Sequence, residues 1–176
     1  LFKTFAVPAL TLLISIILAF LIIGPIATFA SDLLGAAFTA LFNLNATISG
    51  FLYGALIQVC VMFGVHWGFV AISVNNLATL GYDPITIAGL ASAFGQAGVV
   101  LMIMLRTKNK KLKSVCGPAI ISAMVGITEP SIYGVTLQFI KPFMLACLAS
   151  GIGGAIIGFG GVKQYVYGTN GIFGWL

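Results

Sequence analysis

The chain has 176 residues, of which 60% are hydrophobic and 6% charged, with a net charge of +5. A soluble domain carries about 25% charged residues, so this chain lacks the polar surface of a water-soluble globule and reads as an integral membrane protein. The basic residues are mostly clustered, which speaks for membrane topology rather than nucleic acid.

In chain order, Phe5 to Phe29 is the first spanning candidate, about 25 residues without a charge. That exceeds the ~20 residues needed to cross the hydrocarbon core. Gly24-Pro25 near its end predicts a kink or an interfacial exit. Ser31 to Leu44 is shorter and weakly amphipathic, with Asp32 as its expected N-cap. Asn43 to Ala46 predicts a turn. Asn45-Ala46-Thr47 also matches a glycosylation sequon, which matters only in a eukaryotic secretory pathway.

Thr47 to Val74 is apolar but carries Gln58, His66 and Trp67. The sequence Gly64-Val65-His66-Trp67-Gly68 sets the single histidine between two glycines. Ser73-Val74-Asn75-Asn76 predicts a polar break, followed by Leu77 to Leu80 and a turn at Gly81-Tyr82-Asp83-Pro84. Ile85 to Leu105 is a second clean span, marked by Gln96.

Arg106 to Lys113 holds five of the eight basic residues. Short Lys- and Arg-rich loops stay cytoplasmic, although such a run also suits anionic lipid head groups. Val115 to Val125 is too short to span and predicts one arm of a re-entrant hairpin. Lys141-Pro142 marks a further interruption. Phe143 to Phe159 predicts a helix with glycine packing faces. In the tail, Lys163, Tyr165, Tyr167 and Trp175 suit a membrane interface. The chain starts without Met, shows no signal-peptide pattern, and is expected to be one membrane-embedded portion, 1–176, of a longer protein. Cys60, Cys116 and Cys147 have no paired spacing and read as small buried residues. No zinc-ligand set exists and no cofactor is called for.

The stretch Gly126-Ile127-Thr128-Glu129-Pro130 stands apart. Glu129 is the single glutamate, set between apolar runs. A carboxylate at bilayer depth costs roughly 2.5–3.5 kcal/mol even on lenient scales. Irregular backbone there is tolerated only where it lines a cavity or is buried in protein. The functional reading is a substrate or ion site; the alternative is a kinked core helix with a neutral, hydrogen-bonded glutamate. The break at His66 resembles it in kind, and transporters place substrate near the midplane with such discontinuous helices. An imidazole and a carboxylate together suit sugar hydroxyls, and the carboxylate can accept a hydroxyl proton. Trp67 offers a flat apolar face to a sugar ring, or anchors and packs. Asn75, Asn76 and Gln96 line the same cavity or bridge helices.

Gly64-Val65-His66-Trp67-Gly68, Asn75-Asn76-Leu77 and Gly126-Ile127-Thr128-Glu129-Pro130 resemble the membrane domain, enzyme IIC, of the bacterial phosphoenolpyruvate-dependent sugar phosphotransferase system. The likeness is closest to the β-glucoside branch of its glucose superfamily and covers essentially the whole chain. It implies an all-α integral membrane protein with several transmembrane helices and re-entrant hairpins, the C-terminal, sugar-binding half of the domain. It also implies elevator-type movement in the bacterial cytoplasmic membrane. Glu129 then contacts the sugar near the phosphorylated hydroxyl and is the catalytic residue. His66 helps bind the sugar by the same resemblance, and Trp67, Thr128, Asn75 and Asn76 are the further expected binding residues. The phosphoryl donor is a phosphocysteine on a separate enzyme IIB domain; no soluble IIA or IIB domain is expected within these residues. Further partners implied are the N-terminal half of enzyme IIC, a second copy in a homodimer, and lipid. The competing readings are a proton- or ion-coupled secondary transporter using Glu129 and His66, and a structural membrane subunit.

Overall fold

The apolar N-terminal run folds as one long helix in the computed structural model. The structure describes residues 2–168 and 170–175, apart from the side chains of Phe2, Thr4, Ser31 and Trp175. Helix α1 (Phe2–Leu18) passes through a widened turn at Ala19–Ile23 into α2 (Gly24–Leu44). Pro25 has no N–H, and in a regular helix its ring would crowd the Leu21 carbonyl. Gly24 N–H instead reaches back five residues to the Ala19 carbonyl, so the helix widens rather than ends. Gly24-Pro25 therefore follows a widened turn within one continuous helix and is not a helix end. Ser31 begins no new helix, and Asp32 sits mid-helix and exposed rather than at an N-cap. The apolar stretch Phe5–Leu44 runs 40 residues, about 60 Å at 1.5 Å per residue. No upright span of ~30 Å holds all of it.

The expected turn before α3 (Ala46–Met62) shrinks to one residue. Asn45 is extended, and its side chain accepts from Thr47 N–H at 2.9 Å and Ile48 N–H at 3.1 Å. The sequon asparagine is thus a helix cap. Helix α4 (Trp67–Leu80) runs straight through Ser73-Val74-Asn75-Asn76, which is not a break. Asn76 stays helical because its amide has a partner beyond the helix: it donates to Asp83 Oδ1 at 3.0 Å. A 3₁₀ turn (Thr86–Gly89) leads into α5 (Leu90–Arg106). Then follow α6 (Lys110–Met124), α7 (Glu129–Gly134) and a 3₁₀ turn (Thr136–Gln138). Helix α8 is Ile140–Phe159. Lys141-Pro142 lies in its first turn, where a missing N–H costs nothing, so it starts a helix rather than interrupting one. The basic stretch is a three-residue turn plus the start of α6, capped by Asn109 through Lys111 N–H at 2.9 Å.

Among the described residues, three helical stretches are apolar and long enough to cross a membrane: Phe5–Leu44, Thr86–Arg106 and Ile140–Phe159. The tightest packing joins α3 to α8. A Cβ on Gly50 would collide with the Gly154 carbonyl, and one on Gly154 with the Gly50 carbonyl. Gly54 meets Ser150 and Gly158 meets Ala46 in the same way. Small residues four apart let the two backbones touch, the main source of helix association in lipid. A buried polar chain adds to this seam. Gln58 (α3) donates to Ser150 Oγ (α8) at 2.6 Å, Gln96 (α5) donates to Gln58, and Thr136 donates to Gln96 Oε1 at 3.1 Å. Beside α2, Phe38, Tyr53 and Phe69 pack edge-to-face with centroids 5.0–5.5 Å apart. Cys60 and Cys116 are buried and Cys147 half-buried, all as free thiols.

Candidate functional site

Three helices end with the same turn. At the end of α3, Gly64 takes φ +74°, and Val65 N–H reaches the Cys60 carbonyl at 3.1 Å. After α6, Gly126 takes φ +101°, and Ile127 N–H reaches the Ser122 carbonyl at 3.0 Å. After α8, Gly161 takes φ +60°, and Val162 N–H reaches the Ile157 carbonyl at 3.3 Å. Each is a left-handed glycine followed by an apolar residue bonded five residues back, the glycine-terminated motif that closes orphan carbonyls. Each turn is followed within one to three residues by a polar side chain: His66, Thr128 with Glu129, and Gln164. All of these line one cleft of about 610 Å³, within the size range of small-molecule sites.

The first two turns are tied together. Tyr133 Oη, on α7, donates to the Val61 carbonyl at 3.1 Å, at the end of α3. Ser131 Oγ donates to the Ala119 carbonyl at 2.8 Å, and Ser122 Oγ to the Ile127 carbonyl at 2.9 Å. These bonds hold α7 against α6 and so place the backbone of Glu129 at the cleft. Pro130 occupies the first turn of α7, so the break lies before it, at Val125 to Thr128. Helices α6 and α7, 15 and 6 residues long, both fall short of a span.

His66 Nε2 lies 3.9 Å from Glu129 Oε1, with the side chains 20% and 43% exposed. That is too long for a direct hydrogen bond. A hydroxyl oxygen ~2.8 Å from each would see them roughly 90° apart, an angle one hydroxyl can serve as both donor and acceptor. His66 Nδ1 is buried with no hydrogen-bond partner among the described residues. The Trp67 ring is tilted 40° to the imidazole with centroids 5.4 Å apart, and Trp67 is 67% exposed at the cleft rim. Thr128 is buried in the wall.

Asn75, Asn76 and Gln96 stand outside the cleft lining. Asn75 is exposed on α4, Asn76 is engaged by Asp83, and Gln96 is fully buried in the polar chain behind α7. Sequence reasoning passed over several wall residues: Tyr53, Ser73, Thr86, Gln164 and Asn170. Tyr53 and Thr86 are ordinary helix or turn residues with no local signal, and Ser73 reads only as part of a polar break. The last two sit in a tail read as interfacial. That tail folds back onto the cleft: Gln164 and Asp83 exchange backbone bonds of 2.7 and 2.9 Å. Gly171 packs so closely on Val125 and Gly126 that a Cβ there would collide. The interfacial expectation for Trp175 concerns a side chain outside the described set. No group of three or more His, Cys, Asp or Glu that could hold a metal exists among the described residues.

Long apolar helices, close glycine seams and short glycine-ended helical arms meeting at a polar cleft define an integral membrane protein of the all-α class. The chain belongs to the family described as phosphotransferase system, EIIC, whose sequence profile matches residues 2–151. It is 46% identical over 172 residues to a PTS system beta-glucoside-specific EIIBCA component of Halalkalibacterium halodurans, covering 98% of this chain and 27% of that protein. A like-named protein of Dickeya chrysanthemi is 41% identical, covering 97% and 27%. A PTS system sucrose-specific EIIBC component of Salmonella typhimurium is 34% identical, covering 92% and 35%. The chain thus spans about a quarter of the length of the first two relatives. No solved structure matches it significantly.

Proposed function

We propose that this chain is the sugar-binding portion of a phosphotransferase permease in the bacterial cytoplasmic membrane, crossing it several times and taking a β-glucoside. The observation that carries the reading is the His66–Glu129 approach of 3.9 Å at the wall of the cleft. His66 and Glu129 share the reacting hydroxyl, Trp67 covers an apolar sugar face at the rim, and Thr128 supports the wall. Asn76 acts indirectly, through Asp83; Asn75 has no part in this arrangement. The sugar oxygen attacks the phosphorus of a phosphocysteine on a IIB domain. The O–P bond forms, the S–P bond breaks, the thiolate leaves, and Glu129 takes the hydroxyl proton. The names of relatives that combine B and C components support a IIB partner. The N-terminal half of the domain and a second copy complete the working transporter.

The test uses membranes containing the complete permease, the general phosphotransferase proteins and methyl β-D-glucoside. Sugar phosphate should form with phosphoenolpyruvate and persist when an ionophore collapses the proton gradient. Uptake of unmodified sugar that stops with the gradient would instead favour the proton-coupled reading, with the same two residues as relay.

A further inference from the structure

The third glycine turn delivers a residue that the His66–Glu129 pair does not account for. Gln164 comes three residues after Gly161, as Glu129 comes three after Gly126, and it lines the same cleft. Its position is fixed on every side. The backbone is held by the two-way bond pair with Asp83 at 2.7 and 2.9 Å. Asp83 itself is fully buried; its carboxylate accepts from Asn76, from Ile85 N–H at 3.1 Å and from the Thr86 hydroxyl. The neighbours of Gln164 are pinned too: Lys163 Nζ lies 3.8 Å over the Tyr82 ring, and Tyr165 packs on Tyr82 at 6.4 Å.

The side-chain amide is equally settled. Its Nε2 donates to the Val166 carbonyl at 2.8 Å, and since a carbonyl only accepts, the nitrogen must face it. Gln164 Oε1 is left buried, with no hydrogen-bond donor among the described residues. A buried acceptor on a fixed backbone costs stability unless something donates to it. Tying down the tail explains the backbone bonds but not a buried acceptor without a donor on a residue of the cleft wall.

We propose that Gln164 is a substrate-binding residue of this cleft, whose Oε1 accepts a hydrogen bond from a hydroxyl of the bound sugar. This rests on the cleft being the sugar site. The reacting hydroxyl uses His66 and Glu129; Gln164, on a separate element, reads another one. A site built to bond a hydroxyl discriminates strongly against the analogue lacking it. Gln164 therefore makes selection depend on a specific hydroxyl rather than on ring size alone.

The test measures binding of methyl β-D-glucoside and its four monodeoxy analogues to the complete permease in membranes. The unaltered protein is compared with Gln164→Met, which keeps length and removes the acceptor. Gln164→Met should bind the parent glucoside about three- to tenfold more weakly. One deoxy analogue, the one lacking the partner hydroxyl, should bind equally to both proteins. Undiminished binding of the parent glucoside by Gln164→Met would overturn the assignment. So would an equal loss across the parent and all four analogues, which marks a general disturbance of the tail. If Gln164→Met does not fold, Gln164→Asn, which draws the carbonyl back by one methylene, is held to the same criteria. Failure of the unaltered protein to bind any of the five sugars would overturn the reading of the cleft itself, and the assignment with it.

Discussion

His66 is set at its post by the turn after α3 and faces Glu129 at 3.9 Å. Its removal deletes one arm of the cradle without touching the glycine seam that holds α3. His66→Ala should weaken sugar binding by roughly two- to tenfold, the worth of one hydrogen bond in a polar site. Equilibrium binding of a β-glucoside to the complete permease checks this, and unchanged affinity would return His66 to a packing role. Asn45 provides a contrast at the same scale. It caps α3 through two backbone N–H groups and lies outside the cleft lining. Asn45→Ala should cost about 1 kcal/mol of stability and leave sugar affinity as it was, which thermal unfolding and binding measured together will show. The pair His66 and Glu129 was legible from sequence because an ionisable residue in an apolar run has few physical excuses. Gln164 was not legible: one amide in a mixed tail has many, and only the fold shows that the tail returns to the cleft.

Among the elements, the α3–α8 seam depends on glycines that face each other's backbone. Gly154→Ala would push its new methyl against the Gly50 carbonyl, and overpacking of this kind costs about 1–3 kcal/mol. Gly98→Ala is the matched control, since a Cβ there meets nothing within 4 Å and alanine favours a helix over glycine. Thermal midpoints in detergent should fall for Gly154→Ala and hold or rise for Gly98→Ala; equal midpoints would mean that the seam yields. The spans at Thr86–Arg106 and Ile140–Phe159 were visible as uncharged apolar runs of sufficient length. The boundaries that sequence misplaced share one cause: a breaker had its cost met elsewhere. Pro25 was absorbed by a five-residue hydrogen bond, Pro142 fell in a first turn, and Asn76 was satisfied by Asp83. Such compensations come from geometry that the local sequence does not carry.

Across the whole molecule, orientation and chemistry must agree: under the proposed function the phosphoryl donor is a soluble IIB domain, which requires the cleft to open to the cytoplasm at some stage of transport. The positive charge of the turn between α5 and α6 predicts that it lies on that side. A cysteine placed at the exposed Lys108 should resist an impermeant thiol reagent in intact cells and react in inside-out vesicles; strong labelling from outside would invert the topology. The central claim is that Glu129 accepts the proton of the sugar hydroxyl as it is phosphorylated. The most direct measurement is the rate of sugar phosphate formation by Glu129→Gln, in the complete permease, at saturating β-glucoside and with a phosphorylated IIB domain. Glutamine keeps the size and much of the hydrogen bonding but cannot take the proton. Binding should fall modestly while the rate falls by about 10²–10⁴-fold. A near-normal rate from folded, sugar-saturated Glu129→Gln would contradict the account and leave Glu129 as a binding or structural residue.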